Sequence, residues 1–261
     1  MFRRDGMLAI LDEEFKGRVL VAGDIHGDLE AFLSIRKIFG EDQEALLIFL
    51  GDYADRGENG LEVIRGVAEL VEKNPERIIP LKGNHEDYRD GEPWFSPWTL
   101  GEEVEAKTGS SWEDFLPELE DFLGRLFLAA LIPEAAIFVH GGMSSKVGEV
   151  RRIVEPSREV EEDILWSDPM DEDGELPNPR GAGVLFGPDV SRMVLERLGV
   201  KMVIRGHQPQ KAYDGPFFEH EGRVVTLSST NVYGGRPFLL DFRCGEDLKR
   251  EKMDVIYLGQ K

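Results

Sequence analysis

Four of the five histidines in this 261-residue chain share one local context. His26, His85, His140 and His207 each follow a short β-rich run and sit beside glycine, aspartate or asparagine, as in Gly23-Asp24-Ile25-His26 and Gly83-Asn84-His85. One such histidine is most often a hydrogen-bonded structural residue, but four in the same setting point to a site. His220, between Glu219 and Glu221, lacks that setting and is expected to be a solvated turn residue. Two aspartates, one asparagine and three histidines from these strand-end runs make a mixed nitrogen and oxygen donor set without thiolate. That set suits manganese, iron or zinc in a catalytic centre. Six donors are too many for one catalytic ion that keeps an open position. They suit two ions about 3.5–4 Å apart with a shared carboxylate. Such a pair makes hydroxide available near neutral pH and neutralises phosphate oxygens during in-line attack. The chemistry read from these residues is phosphate-ester hydrolysis.

Two arginines could add to it. Arg56 shares the glycine-bounded run Gly51-Asp52-Tyr53-Ala54-Asp55-Arg56-Gly57 with a ligand candidate, and Arg180 precedes Gly181-Ala182-Gly183. A guanidinium fork matches two phosphate oxygens at any relevant pH, although a single arginine is more often a surface ion pair. Cys244 to Arg250 has the C-x5-R spacing of cysteine-dependent phosphatases. That loop must cradle phosphate with backbone N–H groups, and here Glu246 and Asp247 would sit inside it. Gly181 and Gly183 alone are too common a pattern to mark a nucleotide loop.

The donors need elements to gather them. Strand signals over Arg18–Ala22, Leu46–Leu50, Arg77–Leu81, Ala136–Val139 and Met202–Ile204 each deliver polar groups at their C-terminal ends. Leu29, Phe32, Leu33, Ile35 and Ile38 form a helical face ended by Gly40. Leu61, Ile64, Val67, Ala68 and Val71 form another, stopped by Asn74-Pro75. Strand–helix–strand units place successive strand ends on one sheet edge, where open α/β sheets bind ligands. Gly91–Gly101 reads as a loop. Ser110–Glu113 reads as a capping box before a helix that Pro117 interrupts or restarts. Pro169–Gly187 reads as a long functional loop, and Pro188–Leu198 as a short helix closed by Gly199. The tail alternates through Arg223–Leu227, Pro237–Phe242 and Val255–Leu258, which suggests an antiparallel second sheet. No boundary invites a cut, so residues 1–261 read as one α/β domain, a β-sandwich of two mixed sheets flanked by helices.

Composition bounds the partners. The formal net charge of −20, from 51 acidic and 31 basic residues, repels nucleic acid, so an anion site must be made locally. The longest apolar runs, Ala45–Leu50 and Leu126–Ile132, fall far below the ~20 residues of a membrane span. Met1-Phe2-Arg3-Arg4 begins a poor signal peptide. A single cysteine, Cys244, forbids an intrachain disulfide and agrees with a reducing compartment. A soluble, cytoplasmic protein without membrane or nucleic-acid partners is expected; nothing indicates its oligomeric state.

In order and spacing from about residue 18 to 242, the motifs resemble the phosphoprotein phosphatase (PPP) family of serine/threonine phosphatases, within the calcineurin-like metallophosphoesterase superfamily. The residues that carry this are Gly23–Gly27, Gly51–Gly57, Gly83–Glu86, His140–Gly142 and Arg205–Gln208, with Leu165–Pro169, Arg180-Gly181, Phe186-Gly187 and Tyr233-Gly234 as secondary motifs. The resemblance implies a metallophosphoesterase-type fold in a short catalytic-core form, acting on phosphoproteins or phosphopeptides. It implies that Asp24, His26 and Asp52 hold one metal, and that Asp52, Asn84, His140 and His207 hold the second. Mn2+ is the expected ion, with iron or zinc as alternatives. His85 would be the general acid oriented by Asp55, Arg56 and Arg180 would clamp phosphate, and Tyr233 would lie over the metals. Lys82 stands where arginine is usual, and the run before Tyr233 lacks the usual Pro-Asn, so that loop is expected to be reshaped. A symmetrical dinucleoside tetraphosphatase or small-molecule phosphomonoesterase is the rival reading. The tetraphosphatases usually carry Gly-Asn-His-Asp and lack the Leu165–Pro169 motif. A non-catalytic relative would show broken ligand positions, and here all are filled.

Overall fold

The computed structural model describes residues 1–245 and 248–259; Glu246 and Asp247, invoked for the C-x5-R loop, lie outside the described residues. The chain begins with β1 (Phe2–Asp5), β2 (Leu8–Leu11), β3 (Arg18–Ala22), α1 (Leu29–Gly40), β4 (Leu46–Phe49), α2 (Gly60–Lys73) and β5 (Ile78–Pro80). Next come β6 (Tyr88–Arg89), β7 (Glu92–Pro93), α3 (Leu100–Thr108), α4 (Trp112–Arg125), β8 (Ala129–Ile132), β9 (Ala136–Phe138), α5 (Val150–Val154) and α6 (Arg158–Trp166). It continues with β10 (Asp168–Pro169), β11 (Glu175–Pro177), β12 (Val184–Phe186), α7 (Pro188–Leu198) and β13 (Met202–Arg205). β14 (Phe217–Glu219), β15 (Val224–Thr226), β16 (Phe238–Arg243) and β17 (Asp254–Tyr257) complete it.

Two mixed sheets pack face to face, one ordered β17-β16-β3-β4-β5 and the other β1-β2-β8-β9-β13-β15-β14. The alternation of side chains along each strand explains the layers. Val19 and Val21 of β3, Leu46 and Ile48 of β4, Phe138 of β9 and Ile204 of β13 meet in the interior between the sheets. Leu20, Ala22, Leu47 and Phe49 point the other way, under α1, α2, α3 and α4. Ile137 and Val203 do likewise on the second sheet, beneath α6 and α7. The result is helix, sheet, sheet, helix, the sandwich expected from the sequence.

The βαβ units are as read. β3, β4 and β5 are parallel neighbours, with α1 and α2 between them in sequence. Asp28 caps α1 by accepting the Ala31 N–H at 3.0 Å. Leu33, placed on the apolar face of α1 by its spacing, is instead 40% exposed, and Phe39 is buried in its stead.

Four readings need correction. The loop expected over Gly91–Gly101 contains half of a two-stranded hairpin and the start of α3. Helix α4 runs through Pro117, which lies on the exposed face opposite Phe115, Leu119 and Phe122, and its capping box is Ser111 with Asp114. The supposed long loop before α7 holds a three-stranded sheet, β10-β12-β11, whose strands of two or three residues are too short to show a period. The tail does not build a sheet of its own. β15 pairs parallel with β13, whereas β16 joins β3 antiparallel and carries β17. Strand periodicity reports which faces are buried, not which strand lies alongside. Among the described residues, no helix is long and apolar enough to cross a membrane.

Phe138 and Phe242 stack across the sandwich with centroids 6.5 Å apart and planes at 5°. Replacing Phe138 with alanine should cost about 3–5 kcal/mol in urea unfolding, as large-to-small core changes do. A loss below about 1 kcal/mol would contradict this view of the inter-sheet core.

Candidate active site

The ends of strands from both sheets converge. Ile25 and His26, just after β3, both donate backbone N–H groups to the Asp52 carbonyl, at 3.0 and 2.9 Å. Gly206, after β13, donates to the His140 carbonyl at 3.0 Å. Glycine is required where ligand carboxylates touch backbone. A Cβ on Gly83 would sit 2.2 Å from Asp52 Oδ1, and one on Gly206 would sit 2.1 Å from Asp24 Oδ1. Five of the nine non-glycine residues with left-handed backbone among the described residues, namely His26, Asp52, Asp55, Arg56 and His207, lie in this cluster. Such conformations persist only where the surroundings over-determine them.

Asp52 is the centre. Its Oδ2 lies 3.4 Å from His26 Nε2, and its Oδ1 lies 3.4 Å from His140 Nε2. Asp24 Oδ2 is 3.9 Å from His26 Nε2. On the other side, His140 Nε2 faces Asn84 Oδ1 at 3.0 Å and His207 Nδ1 at 3.2 Å. The tautomers follow from the remaining ring nitrogens. His26 Nδ1 donates to the Ala54 carbonyl at 3.0 Å, and His140 Nδ1 donates to the Leu50 carbonyl at 2.8 Å. In the neutral rings both Nε2 lone pairs are thereby turned toward other acceptors, and backbone carbonyls serve as the outer partners typical of ligating histidines. Asp24 Oδ2 and His207 Nε2 are buried without any hydrogen-bond partner. Acceptors facing acceptors in a buried cluster fit a cation among them. Two donor groups lie within 4.8 Å, one of His26, Asp52 and His85 and one of Asp52, His140 and His207; Asp52 belongs to both.

The protein's own charges describe the same cluster. Burial pushes the Asp24 carboxyl up to about 6 and the His26 imidazole down to about 4. Burial also holds His207 well below the usual imidazole range, with help from His140. Neutral imidazole is the form that coordinates a metal. His140 behaves oppositely: burial works against its charge, but Asp52 outweighs burial and raises it to about 9. Asp52 is held well below the ordinary carboxylate range, its burial outweighed chiefly by His140.

His85 stands beside this group with a different partner. Its Nδ1 lies 2.9 Å from Asp55 Oδ2, and its backbone N–H donates to Asp52 Oδ1 at 2.9 Å. Asp55 Oδ1 accepts the Thr99 and Leu100 N–H groups at 2.6 and 3.0 Å, so the start of α3 fixes the carboxylate. Arg56 is exposed, and its Nη2 donates to the Ser96 carbonyl at 3.3 Å. Arg180 Nε donates to Asp168 Oδ2 at 2.8 Å. The field of Arg56 acts on His26 and that of Arg180 on His207, one guanidinium beside each histidine. The Tyr233 ring meets His26 edge-on at 5.6 Å, and its hydroxyl is pushed up to about 12, mainly by burial.

The sequence pattern of the calcineurin-like phosphoesterase family matches residues 17–211. The chain belongs to that family. Calcineurin-like phosphoesterases work with divalent metals, and the donors around Asp52 fit such ions. A serine/threonine-protein phosphatase of Caenorhabditis elegans is 30% identical over 227 residues, which cover 84% of this chain and 49% of that protein. The chain thus spans about half the length of this curated relative. Two solved structures share the fold. One is a protein serine/threonine phosphatase from Saccharomyces cerevisiae with similarity to human phosphatase PP5 (TM-score 0.77, 22% identity, 97% of this chain and 83% of that one). The other is a cold-active protein-tyrosine phosphatase of a psychrophilic Shewanella (TM-score 0.62, 17% identity, 98% and 82%).

Several residues of this phosphoesterase site had no role in the sequence reading. Glu86 ties the strand ends together by accepting N–H groups from Asp52, Tyr53 and Gly83 at 2.8, 3.0 and 2.9 Å. Arg205 is fully buried. It binds the Gly141 carbonyl, Gln208 Oε1 at 2.8 Å and Asp168 Oδ1 at 3.0 Å, joining three loops. Glu86, Asp168 and Arg205 all stand inside the motifs already quoted, so their signal was present. The fifth histidine is a correction. His220 is 7% exposed, within 2.6 Å of Ser191 Oγ through Nδ1 and 2.9 Å of the Met170 carbonyl through Nε2. It is a core hydrogen-bonding residue, not a solvated turn. Cys244 is buried, and burial pushes its thiol up to about 11, contrary to the low-pKa thiolate of a cysteine phosphatase. A surface depression of about 950 Å3 beside β14, lined by Phe217, Phe218 and Arg250, contains none of the metal-donor candidates.

Restoring Mn2+ to chelator-stripped protein should raise Tm by about 5–10 °C, given ~2.7 kcal/mol of linkage at one hundred times Kd. An unchanged Tm would argue against metal binding. Asp52→Asn should bring metal content after dialysis below two ions per chain, and two ions retained would refute a shared carboxylate.

Proposed function

We propose that this chain hydrolyses phosphate monoesters on serine and threonine side chains of proteins, with residues 1–261 acting as one catalytic domain. The observation that carries the reading is Asp52, its two oxygens turned toward His26 and His140, with the His85–Asp55 pair immediately beside it. The serine/threonine preference is drawn from the Leu165–Pro169 and Gly83–Glu86 motifs and from the Caenorhabditis elegans relative's name.

In this proposal Asp24, His26 and Asp52 hold one divalent cation, and Asp52, Asn84, His140 and His207 hold another, manganese being the proposed metal. When bound, the two ions supply a hydroxide nucleophile near neutral pH and neutralise phosphate oxygens. Arg56 and Arg180 bind the remaining phosphate oxygens and set the ester in line. His85 gives a proton from Nε2 to the departing serine or threonine alkoxide, while Asp55 fixes the ring through Nδ1. Burial works against a charged His85, but Asp52 and Asp55 outweigh it and raise its pKa above the ordinary imidazole range. Asp168 holds Arg180 from behind; two arginines keep its carboxyl near 2 despite burial, so it stays an anion throughout. Tyr233 covers the His26 side.

Phosphoserine and phosphothreonine peptides should release phosphate with Mn2+ present, faster than a dinucleoside tetraphosphate is cleaved. The reverse preference would replace the protein-phosphatase reading by its rival. His85→Asn should slow phosphoserine peptides by about 100-fold or more, the span of general acid catalysis, and an aryl phosphate far less. Equal losses on both would remove His85 from the acid role.

A further inference from the structure

The run from Phe95 to Leu100 touches every group on the leaving side of the proposed reaction. Phe95, half-buried, lies against the His85 imidazole with ring centroids 4.5 Å apart and planes at 46°. The Ser96 carbonyl accepts from Arg56, and Thr99 and Leu100 donate to Asp55. Phe95 is held in place from behind. Tyr88 meets it edge-on at 5.4 Å and is itself stacked on Trp112 at 5.7 Å and hydrogen-bonded by Trp98 Nε1 at 3.2 Å.

This arrangement constrains what can leave. His85 Nδ1 is committed to Asp55, and the His26 ring meets His85 edge-on at 5.0 Å. The proton must therefore depart from Nε2. The Phe95 ring centroid lies 4.5 Å from that of the imidazole, which sets an aromatic surface near where a leaving oxygen within hydrogen-bond reach of Nε2, about 2.6–3.2 Å, would carry its substituent. The methylene of a serine leaves most of that ring uncovered. A phenyl group covers it in the offset or edge-on geometry that aromatic pairs prefer.

We propose that Phe95 is a specificity-determining residue, a wall beside the acid that favours an aromatic leaving group and extends the substrates of this site to phosphotyrosine-type aryl monoesters. The inference rests on His85 being the group that faces the leaving oxygen. Phe95 does no proton transfer; it adds contact area to one class of ester.

The test compares two peptides of identical flanking sequence, one with phosphotyrosine and one with phosphoserine, on the Mn2+-supplied full chain. Phe95→Leu keeps apolar bulk and removes the flat ring; Phe95→Tyr keeps the ring. Phe95→Leu should lower kcat/KM for the phosphotyrosine peptide about 3- to 10-fold, the size of one aromatic pair, chiefly through KM. The phosphoserine peptide should change by less than about twofold, and Phe95→Tyr should restore the first peptide. Equal losses on both peptides would make Phe95 a mere support for His85 and overturn the proposal, as would no loss on either. Calorimetry with phenylphosphonate and methylphosphonate gives a readout independent of turnover. The natural chain should bind the phenyl compound more tightly and Phe95→Leu should not; no phenyl preference in the natural chain overturns the wall. If the phosphotyrosine peptide alone is cleaved, and Phe95→Leu loses it, the serine/threonine assignment fails while Phe95 keeps its role.

Discussion

Asp52 is asked to do several things at once, and the site is arranged around them. Its backbone is left-handed at the end of β4, and its carbonyl accepts N–H groups from the loop after β3. Its own N–H is tied to Glu86 at 2.8 Å. Its carboxylate is buried, one oxygen near a histidine from the first sheet and the other near a histidine from the second. An ionised carboxylate with little water must be paired or coordinated, because isolated burial of charge is very costly. The protein meets part of that cost with His140 and leaves acceptors such as Asp24 Oδ2 turned inward, in the manner of a cation-binding cluster.

The strain and the burial are linked. Residues in left-handed backbone cost on the order of 1–3 kcal/mol each, and five of them here are bound by hydrogen bonds from neighbouring loops. Glu86 gathers three N–H groups, and Arg205 fastens the loops after β9, α6 and β13. Neither residue faces the phosphate in the proposed mechanism. Burial raises Glu86 to about 7, and Asp52 adds to it, which is the expected response of a carboxyl beside a second buried anion. Placing such groups behind the donors keeps the donors' geometry independent of the substrate.

The side around His85 is built differently. His85, Arg56 and Asp55 all contact one short run at the start of α3, and that run supplies backbone groups and an aromatic ring rather than charge. The donors around Asp52 thus stand in short strand-end motifs, whereas the surroundings of His85 depend on how this chain packs Tyr88, Phe95, Trp98 and Trp112.

The gathering of Asp24, His26, Asp52, Asn84, His140 and His207 at strand ends and the two βαβ units could be read from the chain, because polar residues recur after β-rich runs and because period 2 and period 3.6 are local properties. The same locality explains Pro188–Leu198, which carries its own start and stop in Pro188 and Gly199 and is helix α7. Tertiary structure decided the rest. It chose β3 rather than a second tail sheet as the partner of β16, since strand pairing is a contact between residues more than two hundred positions apart. It buried His220 through Ser191 and Met170, although two flanking glutamates suggested water. It brought Phe95 onto His85 and α3 onto Asp55, because ring-on-ring contact and the direction of a helix end have no one-dimensional period to announce them.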